Sequence, residues 1–356
     1  MTPRPAGSAA GFAGEKELLA WYDANKRDLP WRGSSDPWAV WVSEAMLQQT
    51  RVETVLDYFG PFMERFPTPA ALAKASMDDA LKAWEGLGYY SRVRNLKAGA
   101  ERVAAAGAYP RTATQWALLP GIGPYTAAAL ASIVAGEPEP VADGNVVRVV
   151  ARLRAEALDP RDPRHRAQCA EWLRPAVRRS GDPVRFNQAM MELGETLCPP
   201  LSPRCGECPL SARCRARAMG CPEDFPRRTP SRALPERRYV AFVVRDAAGR
   251  PLLARRPAEG LLAGLWELPM RPVPHSPREA EARHALAELG FGAEELRPLG
   301  AVRHDFTHFR QILHLFEARG AVSLPPAGPD LRFAEPDAVA LATASKRALV
   351  QAAEMG

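Results

Sequence analysis

The sequence predicts an all-α domain followed by a smaller α+β domain. Apolar residues recur at helical spacing between residues 15 and 225, and no β alternation interrupts them. Beyond residue 222 the stretch PEDFPRRTPSRALPERR is rich in proline and arginine and has no periodicity, which is typical of a linker. A chain of 356 residues is also long for a single core. We therefore expect a helical domain over 15–222, a linker over 223–237 and a second domain over 238–356.

The helices of the first domain are predicted from their starts as well as from their spacing. In the stretch SSDPWAVWVSEAML, Asp36 is a candidate N-cap and Pro37 suits the first helical position. Further helices are predicted at about 69–75, 77–85, 91–106, 112–118, 124–135, 144–155, 163–179 and 183–197.

The second domain has the pattern of strands with an intervening helix. The stretch RYVAFVVRDAAGRPLLARRP predicts two strands joined by a glycine-containing turn. A helix at about 276–290 and another strand pair at about 298–319 complete the prediction. This mixture makes the domain α+β.

Composition narrows the class of protein and its partners. With 46% hydrophobic and 25% charged residues the chain is an ordinary globular protein. No apolar run approaches the roughly 18 residues of a membrane helix, and residues 1–14 lack the apolar region of a signal peptide. We therefore expect a flexible lead-in, no membrane partner and a cytoplasmic location. Residues 241–356 hold 14 basic and 14 acidic side chains, so the net charge of +6 lies in residues 1–240 and favours a polyanionic partner there.

Four of the six cysteines are crowded into CPPLSPRCGECPLSARC, with the spacing C-x6-C-x2-C-x5-C. Cytosolic cysteines so close together favour a metal over disulfides. Structural zinc sites usually show two C-x2-C pairs and this loop has one, while four-cysteine cages also hold iron–sulfur clusters. Spacing alone leaves zinc and iron–sulfur both open. The candidate ligands are Cys198, Cys205, Cys208 and Cys214.

The stretch LPGIGPYTA predicts a tight turn that opens a helix. Gly121 and Gly123 permit a close approach of a phosphate to the backbone, and the amides at the start of the next helix would point at it. A helix corner without any ligand is the alternative.

Two carboxylates are candidates for acid–base chemistry. Asp143, in VADGNVVRV, is a candidate helix N-cap. Glu44, in WVSEAMLQQT, shares a helix face with Trp41 and Leu47, where loss of solvation would raise the pKa of its carboxyl and favour general-acid work. The alternatives are a simple cap for Asp143 and a surface position for Glu44.

The chain resembles the helix–hairpin–helix DNA glycosylases in five features and in their order along the sequence. These features are WVSEAMLQQT, EGLGYYSRVRN, LPGIGPYTA, VADGNVVRV and the four-cysteine loop. Within these glycosylases, the chain is most similar to the MutY family of adenine DNA glycosylases, over about residues 17–350. The family has the same cysteine spacing, so the resemblance implies a [4Fe–4S] cluster on the loop 198–214. It also implies a monomer that acts in base excision repair on double-stranded DNA containing adenine opposite 8-oxoguanine or guanine.

The resemblance assigns roles to single residues. Glu44 would protonate adenine N7, Asp143 would stabilise the positive charge that grows on the sugar, and Tyr125 and Asn145 would position them. The adenine leaves the base stack for this chemistry. Residues implied to line the adenine pocket are Arg27, Trp31 and Gln188, the last being Glu or Gln in the family; residues implied to contact DNA are Gln49, Leu87, Tyr89, Gly121, Gly123 and Thr126. Core packing is the alternative for Leu87 and Tyr89.

The tyrosine of the turn bears on the type of reaction. In the related endonuclease III a lysine stands at the position of Tyr125, and its amine attacks the sugar. A tyrosine forms no Schiff base, and the chain has no lysine between residues 98 and 345. The resemblance therefore implies a monofunctional glycosylase. A bifunctional enzyme and a non-catalytic DNA-binding protein on the same fold are the alternatives.

The second domain is similar to the MutT-like domain with which this family inspects 8-oxoguanine. Phe306, Thr307 and His308 match the family's Phe-Ser-His loop, with threonine in place of serine. A working Nudix hydrolase is the competing hypothesis. Its sequence box requires glutamates where this chain has His275, His284 and Ala287, so we expect binding and not hydrolysis.

Overall fold

The computed structural model describes residues 12–34, 36–227, 233–323 and 329–355, and the side chains of 321–323 are not described. Most of the expected lead-in and the middle of the expected linker, residues 228–232, therefore lie outside the described residues. The chain divides into two compact units, one of Met1–Ala73 and Asn95–Pro230 and the other of Lys74–Arg94 and Ser231–Gly356. No helix in the described parts is long and apolar enough to cross a membrane.

The chain up to residue 227 is helical, as predicted. Its α-helices are α1 (Glu15–Asn25), α2 (Pro37–Leu47), α3 (Val52–Arg65), α4 (Pro69–Lys74), α5 (Met77–Ala83), α6 (Ser91–Ala106), α7 (Ala113–Trp116), α8 (Pro124–Ala135), α9 (Gly144–Arg154), α10 (Pro163–Arg179), α11 (Pro183–Thr196) and α12 (Arg215–Ala218).

Side-chain caps explain where several of these helices begin. Asp36 accepts from the Trp38 amide at the start of α2, and Asp143 accepts from the Val146 amide at the start of α9. Asp182 does the same for α11. Proline at the first position of α2, α8, α10 and α11 costs nothing, because the N–H it lacks has no partner there. The predicted cap at Asp36 is confirmed.

The core of the first unit joins its N-terminal helix to helices more than a hundred residues later. Tyr22 of α1, Val147 of α9, Leu173 of α10 and Phe186 of α11 belong to one buried cluster. The ring of Phe12 packs edge-on against Phe186 at 5.4 Å between centroids. This core brings α9 and α11, which carry candidate site residues, side by side.

The second unit is α+β, as predicted. Its elements in the chain from residue 233 are β1 (Glu236–Val243), β2 (Leu252–Arg255), β3 (Trp266–Glu267), β4 (Met270–Val273), α13 (Glu279–Glu288), β5 (Gly292–Asp305), β6 (Arg310–Ser323), β7 (Leu331–Phe333) and α14 (Thr343–Met355). One sheet has the order β4-β1-β6-β5 and the other has the order β3-β2-β7. β1 runs parallel to β6, and all the other pairs are antiparallel.

The first two strands of this unit go to different sheets. The predicted turn is present, and Asp246 accepts from the Arg250 amide across it. β1 pairs with β4 on one edge and with β6 on the other, so it has no free edge for β2. The predicted pair at about 298–319 is the long β5–β6 hairpin.

A short segment from the helical part of the sequence packs with the second unit. In Lys74–Arg94, Asp78 binds Arg255 over 2.5 Å and Lys82 Nζ donates to the Val339 carbonyl over 3.0 Å. Arg94 donates to the Ala263 carbonyl over 2.8 Å. Periodicity predicts only that these residues are helical, because their partners lie 169 or more positions away in sequence.

Candidate active site

Glu44 lies in a helix that is buried on all sides and is bonded to the tyrosine of the turn. Every residue of α2 from Trp38 to Met46 is buried, and only 7% of Glu44 is exposed. The Tyr125 hydroxyl donates to Glu44 Oε2 over 3.2 Å and lies 3.6 Å from the sulfur of Met191. The structure therefore removes the alternative of a surface position for Glu44.

Burial sets the protonation of this pair. It raises the pKa of Glu44 to about 7, the bond from Tyr125 opposes the shift, and the charge of Asp143 adds to it. Burial and then the charge of Glu44 raise the pKa of Tyr125 well above its ordinary value. Tyr125 therefore stays a neutral donor, and Glu44 can hold or release a proton near neutral pH.

Asp143 caps α9 and also lines the cavity beside Glu44. Its Oδ1 accepts from the Val146 amide over 2.7 Å. Burial raises the pKa of Asp143, whereas the Val146 amide and the charge of Arg148 oppose the shift. The cap and a role in the site are compatible, because the same carboxylate faces the cavity.

The turn before α8 needs its glycine at 121 for two reasons. Gly121 has φ of 72°, and a Cβ there would lie 2.6 Å from the side chain of Asn95. Gly123 is the N-cap of α8 and offers no side chain to its first amides. Thr126 Oγ1 accepts from Gln48 Nε2 over 3.3 Å. The turn therefore lies close against α6 and presents backbone amides at the start of α8.

Asn145 is held where α9 and α11 touch. A Cβ on Gly194 would lie 2.8 Å from the Cβ of Asn145, so the helices approach this closely only with glycine there. Arg148 donates to Asn145 Oδ1 over 2.8 Å and to the Gly194 carbonyl over 2.7 Å. Its Nε donates to the Cys198 carbonyl over 2.8 Å. One arginine thus joins Asn145 to the start of the cysteine loop.

These residues surround one cavity of about 190 Å³ in the first unit. It brings together all the predicted catalytic and adenine-pocket residues, although they are spread over 162 positions. Among the lining residues are Arg27, Trp31, Glu44, Tyr125, Asp143, Asn145, Gln188, Glu192 and Glu195.

The last two of these residues were not anticipated from the sequence. Arg27 donates to Glu192 through Nε over 2.7 Å and to Glu195 through Nη2 over 3.0 Å. Arg32 binds Glu192 over 2.8 Å. Burial acts to raise the pKa of Glu192, but the bonds from Arg27 and Arg32 outweigh it and lower the value. The one signal in the sequence is that Glu192 stands four positions after Gln188, on the same face of α11.

A wider groove of about 670 Å³ runs from the carboxylates to the glycine turn. Glu44 and Asp143 line one end of the groove. The groove is also lined by Gln49, Gly121, Gly123 and Thr126. Arg166 of α10, which sequence reasoning missed, is exposed in the same groove. The groove combines backbone amides and an arginine, both of which suit phosphate.

Leu87, Tyr89 and the predicted lesion-reading residues all belong to the second unit. Leu87 is buried, whereas Tyr89 is 42% exposed with φ of 46°. The Tyr89 hydroxyl is hydrogen-bonded to Thr307 Oγ1. Arg92 stacks on the Tyr89 ring at 5.7 Å. The structure therefore places Tyr89 against one of the predicted lesion-reading residues.

Phe306, Thr307 and His308 form the tip of the β5–β6 hairpin. The Phe306 amide donates to the Phe309 carbonyl over 2.8 Å, and the two rings stack at 4.6 Å. Thr307 and His308 are exposed. The stacked phenylalanines fix the turn and leave both polar side chains exposed at its tip.

All four cysteines of the loop line one small cavity of about 20 Å³. Arg152, which is 2% exposed, donates to the Cys198 carbonyl and sulfur over 3.1 Å each and to the Pro199 carbonyl over 2.7 Å. Among the described side chains, no group of three or more His, Cys, Asp or Glu is already arranged as a metal-ion site. The four thiols nevertheless face a common space, and a set of sulfur donors suits zinc or an iron–sulfur cluster.

The glutamates of α13, the helix at the position of the Nudix box, each pair with a basic side chain. Glu279 binds Arg283 over 3.0 Å on α13. Glu288 lies 3.5 Å from His284, and Glu281 lies 3.6 Å from His275. Each glutamate of α13 therefore faces a basic side chain.

Two parts of the chain match known protein families. Residues 42–175 match the HhH-GPD superfamily base excision DNA repair protein family, and residues 240–351 match the NUDIX domain. Among solved structures, a thermostable thymine-DNA glycosylase is 26% identical with a TM-score of 0.53, covering 58% of this chain and 95% of that one. Fold and site thus define a helix–hairpin–helix base excision DNA repair protein.

Relatives that match most of this chain identify the family to which it belongs. The adenine DNA glycosylase of Homo sapiens is 38% identical over 93% of this chain and 72% of its own length. That of Mycobacterium tuberculosis strain H37Rv is 40% identical over 73% of this chain and 84% of its own length. The chain belongs to the adenine DNA glycosylase family.

Proposed function

We propose that this protein is a monofunctional adenine DNA glycosylase that removes adenine mispaired with 8-oxoguanine or guanine. The observation that carries the proposal is the Glu44 carboxyl, buried at the cavity with a pKa of about 7 and bonded to Tyr125. A carboxyl that is partly protonated at neutral pH suits a general acid. Membership in the adenine DNA glycosylase family supports adenine as the base that is released.

The reaction divides between the two carboxyls of the cavity. Glu44 gives its proton to adenine N7 as the bond between C1′ and N9 breaks, so adenine leaves as a neutral base. Asp143, ionised, stabilises the positive charge on the sugar. Water then adds to C1′, and its proton returns to Glu44. Asn145, held by Arg148, and Tyr125 keep the two carboxyls in place.

The chemistry stops at base release. The residues that line the cavity and the groove among the described parts of the chain include no lysine. Without an amine near C1′ no Schiff base forms, so the backbone is left intact. A duplex with adenine opposite 8-oxoguanine tests this directly: strand breaks should appear only after alkali. Breaks without alkali would indicate a bifunctional enzyme, and no breaks at all would indicate a DNA-binding protein.

DNA would bind along the groove of the first unit. Gly121 and Gly123 bring the amides of α8 to a backbone phosphate, and Gln49, Thr126 and Arg166 lie along the same groove. Arg27, Trp31 and Gln188 would hold the adenine taken out of the stack. Leu87 and Tyr89 would push into the duplex beside the flipped base. We propose that the protein acts as a monomer. We also propose the domain limits expected from the sequence, which are 15–222 for the helical domain, 223–237 for the linker and 238–356 for the second domain.

The loop 198–214 would hold a [4Fe–4S] cluster through Cys198, Cys205, Cys208 and Cys214. The fit rests on the four thiols that line one cavity and on Arg152, which bonds the loop at Cys198 and Pro199. When bound, the cluster would tie the loop to α9 and would take no part in base release.

We expect protein purified without oxygen to contain about four iron atoms per chain and to absorb broadly in the visible. Cys205→Ser should lower the iron content, whereas Cys169→Ser should not, because Cys169 is fully buried in the helical core and does not line the cavity of the four loop cysteines. Metal analysis of both variants and of the parent makes the comparison. Stoichiometric zinc without iron would refute the cluster.

The second unit would inspect the base opposite adenine. Oxidation of guanine turns N7 from an acceptor into a donor. The Thr307 hydroxyl already bonds Tyr89 and has lone pairs left to accept from that N–H. Thr307 is therefore suited to tell 8-oxoguanine from guanine, and its bond couples it to Tyr89.

We expect Thr307→Ala with His308→Ala to reduce the preference for 8-oxoguanine over guanine by roughly ten- to a hundredfold, the value of a bond worth about 1–3 kcal/mol. Binding and single-turnover excision on the two duplexes measure the ratio. Thr307→Ser keeps the hydroxyl and should keep the ratio. An unchanged ratio in the folded double variant would remove this turn from lesion recognition.

A further inference from the structure

Gln188, at the cavity, is bonded from behind by a tyrosine of the first helix. The Tyr22 hydroxyl donates to Gln188 Oε1 over 2.6 Å, linking α1 to α11. Gln188 lines the cavity of about 190 Å³, whereas Tyr22 is 2% exposed and belongs to the helical core. The contact therefore joins a residue of the core to a residue of the site.

Tyr22 is itself held in one position. The guanidinium of Arg32 lies over its ring at 5.6 Å. Arg32 is fixed in turn by Glu192 over 2.8 Å and by the Arg27 carbonyl over 2.9 Å. Burial raises the pKa of Tyr22, so its hydroxyl stays protonated and remains a donor at neutral pH. The hydroxyl thus reaches Gln188 as a fixed donor.

The fixed hydroxyl of Tyr22 sets the orientation of the Gln188 amide. Its carbonyl oxygen takes the Tyr22 hydroxyl, so the amino group is the end left for the cavity. Within the described parts of the chain, no acceptor bonds to Gln188 Nε2. Rotating the amide would place N–H groups against the Tyr22 hydroxyl and oblige that hydroxyl to find another acceptor.

We propose that Tyr22 is a positioning residue that makes Gln188 present N–H donors to the base in the cavity. The proposal rests on the proposed function, in which adenine enters this cavity. Adenine offers three ring acceptors, N1, N3 and N7, and N7 takes the proton of Glu44. Gln188 therefore recognises N1 or N3. A base with C–H at that place leaves the donor unpaired, which costs roughly ten- to a hundredfold in rate.

The test uses single-turnover excision from duplexes that carry adenine, 1-deazaadenine or 3-deazaadenine opposite 8-oxoguanine. We expect the parent to excise one of the two analogues roughly ten- to a hundredfold more slowly than adenine. In Tyr22→Phe that penalty should shrink severalfold, because the amide is free to turn. Tyr109→Phe is the matched control: Tyr109 packs on Trp116 at 6.4 Å, outside the cavity, and its penalty should equal that of the parent.

The outcomes distinguish failure of the role of Tyr22 from failure of the proposed function. A parent that releases no adenine contradicts the proposed function before any variant is compared. A parent that treats both analogues like adenine, or a folded Tyr22→Phe that keeps the parent's penalty, overturns the role of Tyr22. If Tyr22→Phe does not fold, Gln188→Glu serves instead: its carboxylate keeps the bond from Tyr22 but offers no N–H, so the penalty must disappear. A penalty that persists in Gln188→Glu contradicts the inference.

Discussion

Glu44→Gln is expected to abolish adenine release, with a fall in the single-turnover rate of roughly 10²–10⁴-fold. The amide keeps the shape of the side chain and can still accept from Tyr125, but it has no proton to give to adenine N7. DNA binding should remain measurable, because the glycine turn and Arg166, which line the same groove, are unchanged. Glu53→Gln makes the same chemical change at an exposed position on α3 and should leave the rate as it is. A fast Glu44→Gln enzyme would mean that another group supplies the proton.

The pKa of Glu44 also predicts how the rate of adenine release depends on pH. Since burial raises the pKa of Glu44 to about 7, its acid form is lost as pH rises through that value. The rate of the parent should therefore fall on the alkaline side of about pH 7. A rate–pH profile of single turnover measures it, and a flat profile through this region would argue against Glu44 as the acid.

The stability of the protein should also fall as pH rises, over a lower range of pH than the activity. Between about pH 4.5 and about pH 7 the folded state holds the Glu44 proton that the unfolded chain releases, so the free energy of unfolding falls as pH rises through this window. Above pH 7 the cost is at most roughly 3 kcal/mol. Glu44→Gln carries no such cost. Its advantage over the parent in urea denaturation should be larger at about pH 8 than at about pH 5.

Asp143→Asn is expected to lower the rate of adenine release by roughly 10²–10³-fold while the protein stays folded. Asparagine caps helices as well as aspartate does, so α9 should still begin at residue 144. What is lost is the negative charge beside the sugar. Single-turnover rates, binding to the mispaired duplex and the melting temperature distinguish these effects.

Asp182→Asn is the matched control for this prediction. Asp182 caps α11 as Asp143 caps α9, by accepting from the amide three residues ahead. It lies outside the cavity lining, so its variant should keep the parent's rate. Full activity in Asp143→Asn would reduce Asp143 to a helix cap and would refute the mechanism.

Features that depend on near neighbours in the chain were predictable from the sequence. Asp36 and Pro37 start α2 because a cap and a fixed φ act within a few residues. The glycines of the turn before α8 and the spacing of the four cysteines are local in the same sense. The run of apolar residues at 239–244, rich in valine and aromatic side chains, is enough to predict a strand, because such residues fit a buried strand.

Contacts between distant positions were decided by the tertiary structure alone. β1 lies parallel to β6, and Glu192 lies between Arg27 and Arg32, because packed surfaces and buried charges must find partners wherever the chain supplies them. No local pattern marks Tyr22 as the partner of Gln188, 166 positions away. The sequence by itself determined that a glutamate stands in an apolar helix; the pKa of about 7 comes from burial of that helix and from Asp143, which only the folded chain brings near.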